Sequence, residues 1–309
     1  PVPAPAPLPV AAARAVMAVR SAVVPMSTRL PVTDFGEAFD RYRGQHGEPG
    51  ARLGTSFPDV DRLAGRLRGL VLLEGGAGEG RSTMALQIAA QALLTHGAEG
   101  VVVTIASTTL SRQDVTDRLV SQVARLPLDA LNHGHARHRV HEQDGLRLDA
   151  KERKQLKDAL AKLAAAQSRL FIVDPEWLTQ VTTGARARDG VAGLMADAKR
   201  SLGARRSLCI IDDLDGLRAL APEVDCVAEL QHVARTHQED VVLVVTTGAG
   251  PDGLRQHASL RLTLSRAVGD PRPGMEPMRL SVSTRRGEAA DGHVPLRFFF
   301  REHRFEVEP

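Results

Sequence analysis

Short apolar runs closed by turn or polar residues punctuate this chain: LVLL (70 to 73), VVVTI (101 to 105), RLFIVD (169 to 174), SLCII (207 to 211) and VVLVVTT (241 to 247). Runs of this length read as strands buried on both faces. Between them the apolar positions fall at helical spacing. Met84, Ile88, Ala89, Ala92 and Leu93 form one such face before Gly97. SRQDVTDRLVSQVARL (111 to 126), LDAKERKQLKDALAKLAAAQ (148 to 167), GVAGLMADAKRSLG (190 to 203) and AELQHVARTHQED (228 to 240) read as further helices. From Leu260 the pattern changes. LRLTLSR, MRLSVSTRRG and VPLRFFFREHRFEV alternate like half-exposed strands, with Gly and Pro turns between them. Repeated strand and helix followed by a strand-only ending predicts an α/β fold. Its sheet is mostly parallel and covered by helices, with antiparallel strands at the C-terminal side.

Upstream, VTDFGEAFDRYR places Phe35, Ala38, Phe39 and Tyr42 on one helical face, capped by Thr33 or Asp34, before the turn-rich connector GQHGEPGARLGTS. This isolated amphipathic helix either folds back on its own domain or docks on another subunit. The first residues are built from Pro, Ala and Val, carry Arg14, Arg20 and Arg29, and contain no acidic residue before Asp34. A targeting peptide or short amphipathic helix is one reading; the Pro-x-Pro spacing favours a disordered tail. The chain therefore divides into a Pro/Ala-rich tail over 1–31, a helix and connector over 32–50, and one domain over 51–309.

Composition narrows the function class only slightly. With 309 residues, 43% hydrophobic and 25% charged, the chain is globular material with room for a sizeable core. Its net charge of +3 permits nucleic acid without implying it. Lys151, Lys154, Lys157, Lys162 and Lys199 are the only lysines, so arginine supplies nearly all the basic charge. Cys209 and Cys226 lack metal or disulfide spacing and read as buried thiols of a reducing, cytoplasmic compartment. No apolar run reaches the length of a membrane span.

The chemistry concentrates where the strand at Leu70 meets the helix at Met84. Gly75, four residues, Gly80, Arg81 and Ser82 fit G-x-x-x-x-G-K-[ST] at every defined position except the lysine, which is Arg81. Glycines such as Gly75, Gly78 and Gly80 let a backbone turn its N–H groups inward. The helix opening at Arg81, Ser82 and Thr83 adds partial positive charge where a pyrophosphate would sit. A guanidinium can hold a phosphate, but it is a wide planar fork rather than a compact mobile charge. Further on, the run SLCII ends in Asp212 and Asp213. A carboxylate at a strand's C-terminal end can hold Mg²⁺ or its water opposite a phosphate loop. His133, His135, His138 and His141 crowd one segment, which reads as a solvated loop with zinc as the alternative.

With these residues laid out, the chain from about Asp34 resembles the C-terminal motor domain of bacterial replicative hexameric helicases of the DnaB type, which share the RecA-like fold. TSFPDVDRLAGRLRG looks like the family's entry into the phosphate loop, and the helix from Phe35 to Tyr42 like its linker helix, which docks on a neighbouring subunit. LSRQDVTDRL, CIIDDLDGL and VSTRRG with LRFFFREHRFEV follow in the family's order. The resemblance implies ATP or another NTP with Mg²⁺, a homo-oligomeric ring through Phe35, Phe39 and Tyr42, and single-stranded DNA as a ligand. It implies Ser82 as the Mg²⁺-coordinating hydroxyl, Asp212 as the strand-end aspartate and Arg285, beside Gly287, as the arginine finger.

Other positions depart from the family. Its phosphate-loop lysine falls on Arg81, its catalytic glutamate on Thr109, its strand-end glutamine on Thr247 and its closing-strand lysine on Ser283. Threonine cannot accept a proton from attacking water as a carboxylate does. The segments that in the family face the DNA channel are short here, leaving Arg218 and Arg255 as phosphate contacts or plain surface. The Pro/Ala tail is too small to stand for the family's primase-interacting domain. The expectation is a relative that binds nucleotide and assembles but hydrolyses ATP poorly or not at all. The alternatives are an active DNA helicase or translocase, and a RadA- or RecA-like recombination NTPase using Glu74 or Glu79 as its carboxylate.

Overall fold

The computed structural model describes residues 53–65, 67–95, 100–132, 148–173, 190–220, 222, 225–236, 240–269, 272–284 and 292–308, all within the compact unit Ala51–Pro309. The helix with Phe35, Phe39 and Tyr42, the histidine-rich segment and Arg285 lie outside the described residues. Nine strands form one sheet: β1 (Gly69–Gly75), β2 (Val101–Ser107), β3 (Leu170–Val173), β4 (Arg206–Asp212), β5 (Val241–Thr247), β6 (Leu260–Arg266), β7 (Met275–Thr284), β8 (Gly292–Phe299) and β9 (Arg304–Val307). Their order is β3-β2-β4-β5-β1-β6-β7-β8-β9. The pairs from β3 through β6 are parallel, and those from β6 through β9 antiparallel. This is the predicted mixed sheet.

The two hydrophobic patterns sort the strands by what covers them. In β1, β2, β4 and β5 nearly every residue is buried, because apolar clusters lie on both faces. One cluster uses Val71, Leu73, Ile210 and Val245 beneath the helix α2 (Arg81–Thr95); the other uses Leu70, Leu72, Ile211 and Val244. In β6, β7 and β8 burial alternates, with Leu262, Leu264, Leu280, Val282, Val294 and Leu296 turned to the α2 side. Their opposite face carries Arg, Ser, Thr and Pro.

The helices begin where their caps predict. α1 (Pro58–Ala64) has proline at its first position, and Asp61 accepts hydrogen bonds from Thr55. Reciprocal capping boxes, Ser111 with Asp114 and Asp149 with Glu152, start α3 (Arg112–Ala124) and α5 (Ala150–Ala166), on either side of the short α4 (Leu128–Asn132). α6 (Gly190–Leu202) is anchored through Lys199, whose ammonium lies 3.0 Å from the buried Asp240 carboxylate at the head of β5. α7 (Leu214–Leu220), α8 (Cys226–Thr236) and α9 (Asp252–Arg255) complete the described helices.

One turn escaped the sequence pattern. The stretch read as a single alternating strand from Val294 to Val307 folds as the hairpin β8–β9, turning over 300–303 at His303, which takes φ 46° without glycine or proline. The carbonyls of that turn are collected by side chains elsewhere: Gln122 donates to His303 O at 2.6 Å and Ser121 to Glu302 O at 3.2 Å. The turn is thus specified by α3, far away in sequence.

Candidate functional site

β1 delivers the glycine-rich loop to the C-terminal edge of the sheet, and α2 carries it away. Gly78 and Gly80 adopt φ 78° and 85°, conformations open to glycine. A side chain at Gly78 would meet nothing within 4 Å, whereas a Cβ at Gly80 would lie 2.7 Å from the Phe305 ring. β9 therefore backs the loop directly. Phe305 stacks on Phe298 at 4.6 Å, and its backbone exchanges two hydrogen bonds with the Gln87 amide of α2 at 2.8 and 3.0 Å. Met84 N–H closes the first helical hydrogen bond to Gly80 O at 2.9 Å. The N–H groups of Arg81, Ser82 and Thr83 precede it at the open end of the helix, where an anion is stabilised.

β5 separates β1 from β4, yet the loop and the end of β4 meet across it. Ser82 Oγ donates to Asp212 Oδ1 at 2.8 Å, and Ser107 Oγ from the end of β2 donates to Asp212 Oδ2 at 3.4 Å. Asp212 is 4% exposed. Burial pushes its carboxyl above the usual range, the Ser82 hydrogen bond pulls it back, and neighbouring Asp213 pushes it up again. A hydroxyl beside a buried carboxylate, next to a cradle of backbone N–H groups, is a donor set that suits Mg²⁺ with a polyphosphate. Arg81 crosses the same opening, its Nη1 donating to Thr247 Oγ1 at the tip of β5 at 3.0 Å.

The tip of β2 holds no free carboxylate. Thr109 is exposed, and its N–H and that of Leu110 donate to Ser107 Oγ at 3.3 and 2.9 Å. Neighbouring acids have other work. Asp213 accepts hydrogen bonds from the Gly216 N–H and, at 3.4 Å, from Thr108 Oγ1, so it starts α7. Glu79 folds back on its own loop and accepts from the Gly76 N–H. Glu74 is buried beneath the loop and ion-paired to Arg255, which therefore is not plain surface; Arg218 is exposed on α7. Arg118 and His303, which sequence reading did not single out, border the site. Burial, with Arg118 near, keeps the His303 imidazole below its usual range, and Arg118 also acts on Asp212. Only the i, i+4 spacing of Asp114, Arg118 and Gln122 on α3 signalled that face.

Ser283 on β7, at the lysine position of the closing strand, accepts from Arg261 at 3.1 Å. Cys209 and Cys226 are both free and buried, and burial pushes the Cys209 thiol up to about 12. Among the described residues no group of three or more His, Cys, Asp or Glu gathers as a metal site of that kind, and no helix is long and apolar enough to cross a membrane.

The architecture that carries this site matches solved structures. One solved ATPase domain superposes with a TM-score of 0.62 at 14% identity, covering 89% of this chain and 99% of that one. A DnaB-like replicative helicase, solved with its interactions with primase as the subject, matches with a TM-score of 0.61 at 14% identity over 88% of this chain and 68% of the other. The fold is that of a RecA-like ATPase domain. No family model and no curated protein matches the sequence. The likeness thus lies in the architecture of the RecA-like domain, and the chemistry of its strand ends must be read from this chain's own residues.

Proposed function

We propose that this protein is a DnaB-like RecA-fold subunit that binds a Mg²⁺-nucleotide and assembles with copies of itself, hydrolyses ATP poorly or not at all, and serves a structural or regulatory role linked to DNA. The single observation that carries this reading is the intact Ser82–Asp212 pair at 2.8 Å beside a β2 tip where Thr109 stands without a carboxylate. The loop from Gly75 to Gly80 and the N–H groups of Arg81, Ser82 and Thr83 would cradle the phosphates. Ser82 and Asp212 would hold Mg²⁺, which when bound neutralises phosphate charge. Arg81, which donates to Thr247, would also supply a guanidinium for the terminal phosphate. Thr109, at the position of the family's catalytic glutamate, cannot take a proton from an attacking water, and loss of a general base alone costs about two to four orders of magnitude in rate.

Phe35, Phe39 and Tyr42 are proposed as the anchors of assembly through a helix that docks on a second copy, on the strength of their shared helical face. Arg285 is proposed as the finger reaching a neighbour's nucleotide. Deleting residues 1–48 is expected to convert an oligomer to monomer in light scattering; an unchanged mass would refute the docking helix.

Calorimetry of Mg²⁺-ATP binding beside phosphate release, on one preparation and with Ser82→Ala as control, tests the central reading. Binding that depends on Ser82 without turnover is expected. Turnover that rises with single-stranded DNA would instead establish a working helicase or translocase.

A further inference from the structure

Glu74, the last residue before the loop's first glycine, is a charge in an unfavourable place for phosphate. Its side chain is 3% exposed, on the sheet face opposite α2, and its Oε1 accepts the Gly250 N–H at 2.9 Å while Oε2 accepts Thr263 Oγ1 at 3.3 Å. Neither donor cancels a full negative charge. An ionised carboxylate buried this close to a phosphate loop repels a polyphosphate through a medium that screens poorly. Asp212 and Glu79 already add negative charge around the same opening.

Arg255 supplies the compensation. It comes from α9, in the segment between β5 and β6, and its Nε lies 3.1 Å from Glu74 Oε1. That N–H is buried and makes no aligned hydrogen bond, so charge and proximity rather than directed bonding hold the pair. The Arg255 side chain as a whole remains 34% exposed. We propose that Arg255 is a positioning residue for nucleotide binding: by neutralising Glu74 it makes the phosphate loop receptive to an anion, so affinity at the loop depends on a segment on the far side of the sheet from α2. The proposal rests on reading the loop as a nucleotide site. The motif pattern marks neither residue, because Glu74 precedes the loop's defined positions and Arg255 lies far from it in sequence.

A purely structural tie and an electrostatic one predict opposite signs, which allows a direct test. Mg²⁺-ATP dissociation constants are measured by calorimetry on the full chain for wild type, Arg255→Met, Glu74→Gln and the double variant. Arg255→Met is expected to weaken binding at least about tenfold, Glu74→Gln to tighten it about threefold or more, and the double variant to return within about threefold of wild type. A Glu74→Gln variant that binds more weakly, or a double variant as weak as Arg255→Met, overturns the proposal. Should Arg255→Met fail to fold, the sign of the Glu74→Gln change decides alone. Wild type that binds no Mg²⁺-ATP refutes the nucleotide reading and this proposal together; wild-type binding with the wrong pattern refutes only the proposal.

Discussion

Two groups of residues at the strand ends differ in chemistry. In the first, from β1, α2 and β4, the loop glycines, the helix opening and the Ser82–Asp212 pair form a connected donor and acceptor set around a buried carboxylate. In the second, at the tips of β2 and β5 that flank β4, Thr109 and Thr247 present hydroxyls, and Arg81 is committed partly to Thr247. Holding a Mg²⁺-nucleotide needs backbone N–H groups, a hydroxyl and a carboxylate; breaking its terminal bond also needs a group that accepts a proton. On the proposed reading these two demands are met by separate residues of one fold, so restoring the second group alone should restore turnover. The variant Arg81→Lys with Thr109→Glu is expected to raise phosphate release by about two orders of magnitude over wild type, with affinity changed far less. Turnover that stays at the wild-type level would show that the deficit does not reside at these tips.

How much of this was legible in the sequence follows from how local each signal is. β5 and β6 occur over the residues read from their patterns, since unbroken apolar runs and strict alternation are written within seven residues. The Ser82 and Asp212 positions were legible for the same reason. The β8–β9 turn was not, because its conformation is enforced by Ser121 and Gln122 rather than by its own residues. Nor was the fate of Glu74. The sequence offers it as a catalytic carboxylate, and only the approach of Arg255, Gly250 and Thr263 shows it already occupied. Local patterns disclose the glycine-rich loop and the strand ends, and tertiary contacts decide which acids are free.

The two loop glycines sharpen the contrast at the next level of effect. Gly78 and Gly80 share a left-handed backbone, but a Cβ at Gly78 has open space, while one at Gly80 strikes Phe305 at 2.7 Å. Phe305 is poorly able to yield, being stacked on Phe298 and held through its backbone by Gln87. Gly80→Ala is expected to destabilise the fold by about 2 to 4 kcal/mol, conformational strain adding to overpacking. Gly78→Ala should cost only the strain, about 1 kcal/mol. Urea unfolding of both variants measures the difference. Equal losses would mean that the β8–β9 hairpin does not brace the loop.

The smallest expected effect reads the Ser82–Asp212 pair through protons. Burial raises the Asp212 carboxyl above the ordinary value of 3.8, against the Ser82 hydrogen bond. Between those two positions the folded chain holds a proton that the unfolded chain has released. The contribution of this group to stability therefore falls as pH rises through the window and grows on acidification. Mg²⁺ needs the ionised form, so nucleotide affinity moves the other way. On acidification it should decline by up to about tenfold per pH unit once Asp212 takes up its proton, as for a one-proton competition. Asp212→Asn is expected to remove the contribution of this group to both trends. Thr109→Ala should leave both in place, since the side-chain hydrogen bonds to Asp212 come from Ser82 and Ser107 and not from Thr109. If Mg²⁺-nucleotide affinity in wild type and Asp212→Asn followed the same pH profile, the buried carboxylate would not be the metal's ligand, and the separation of the two groups would fail at the one expected to hold the metal.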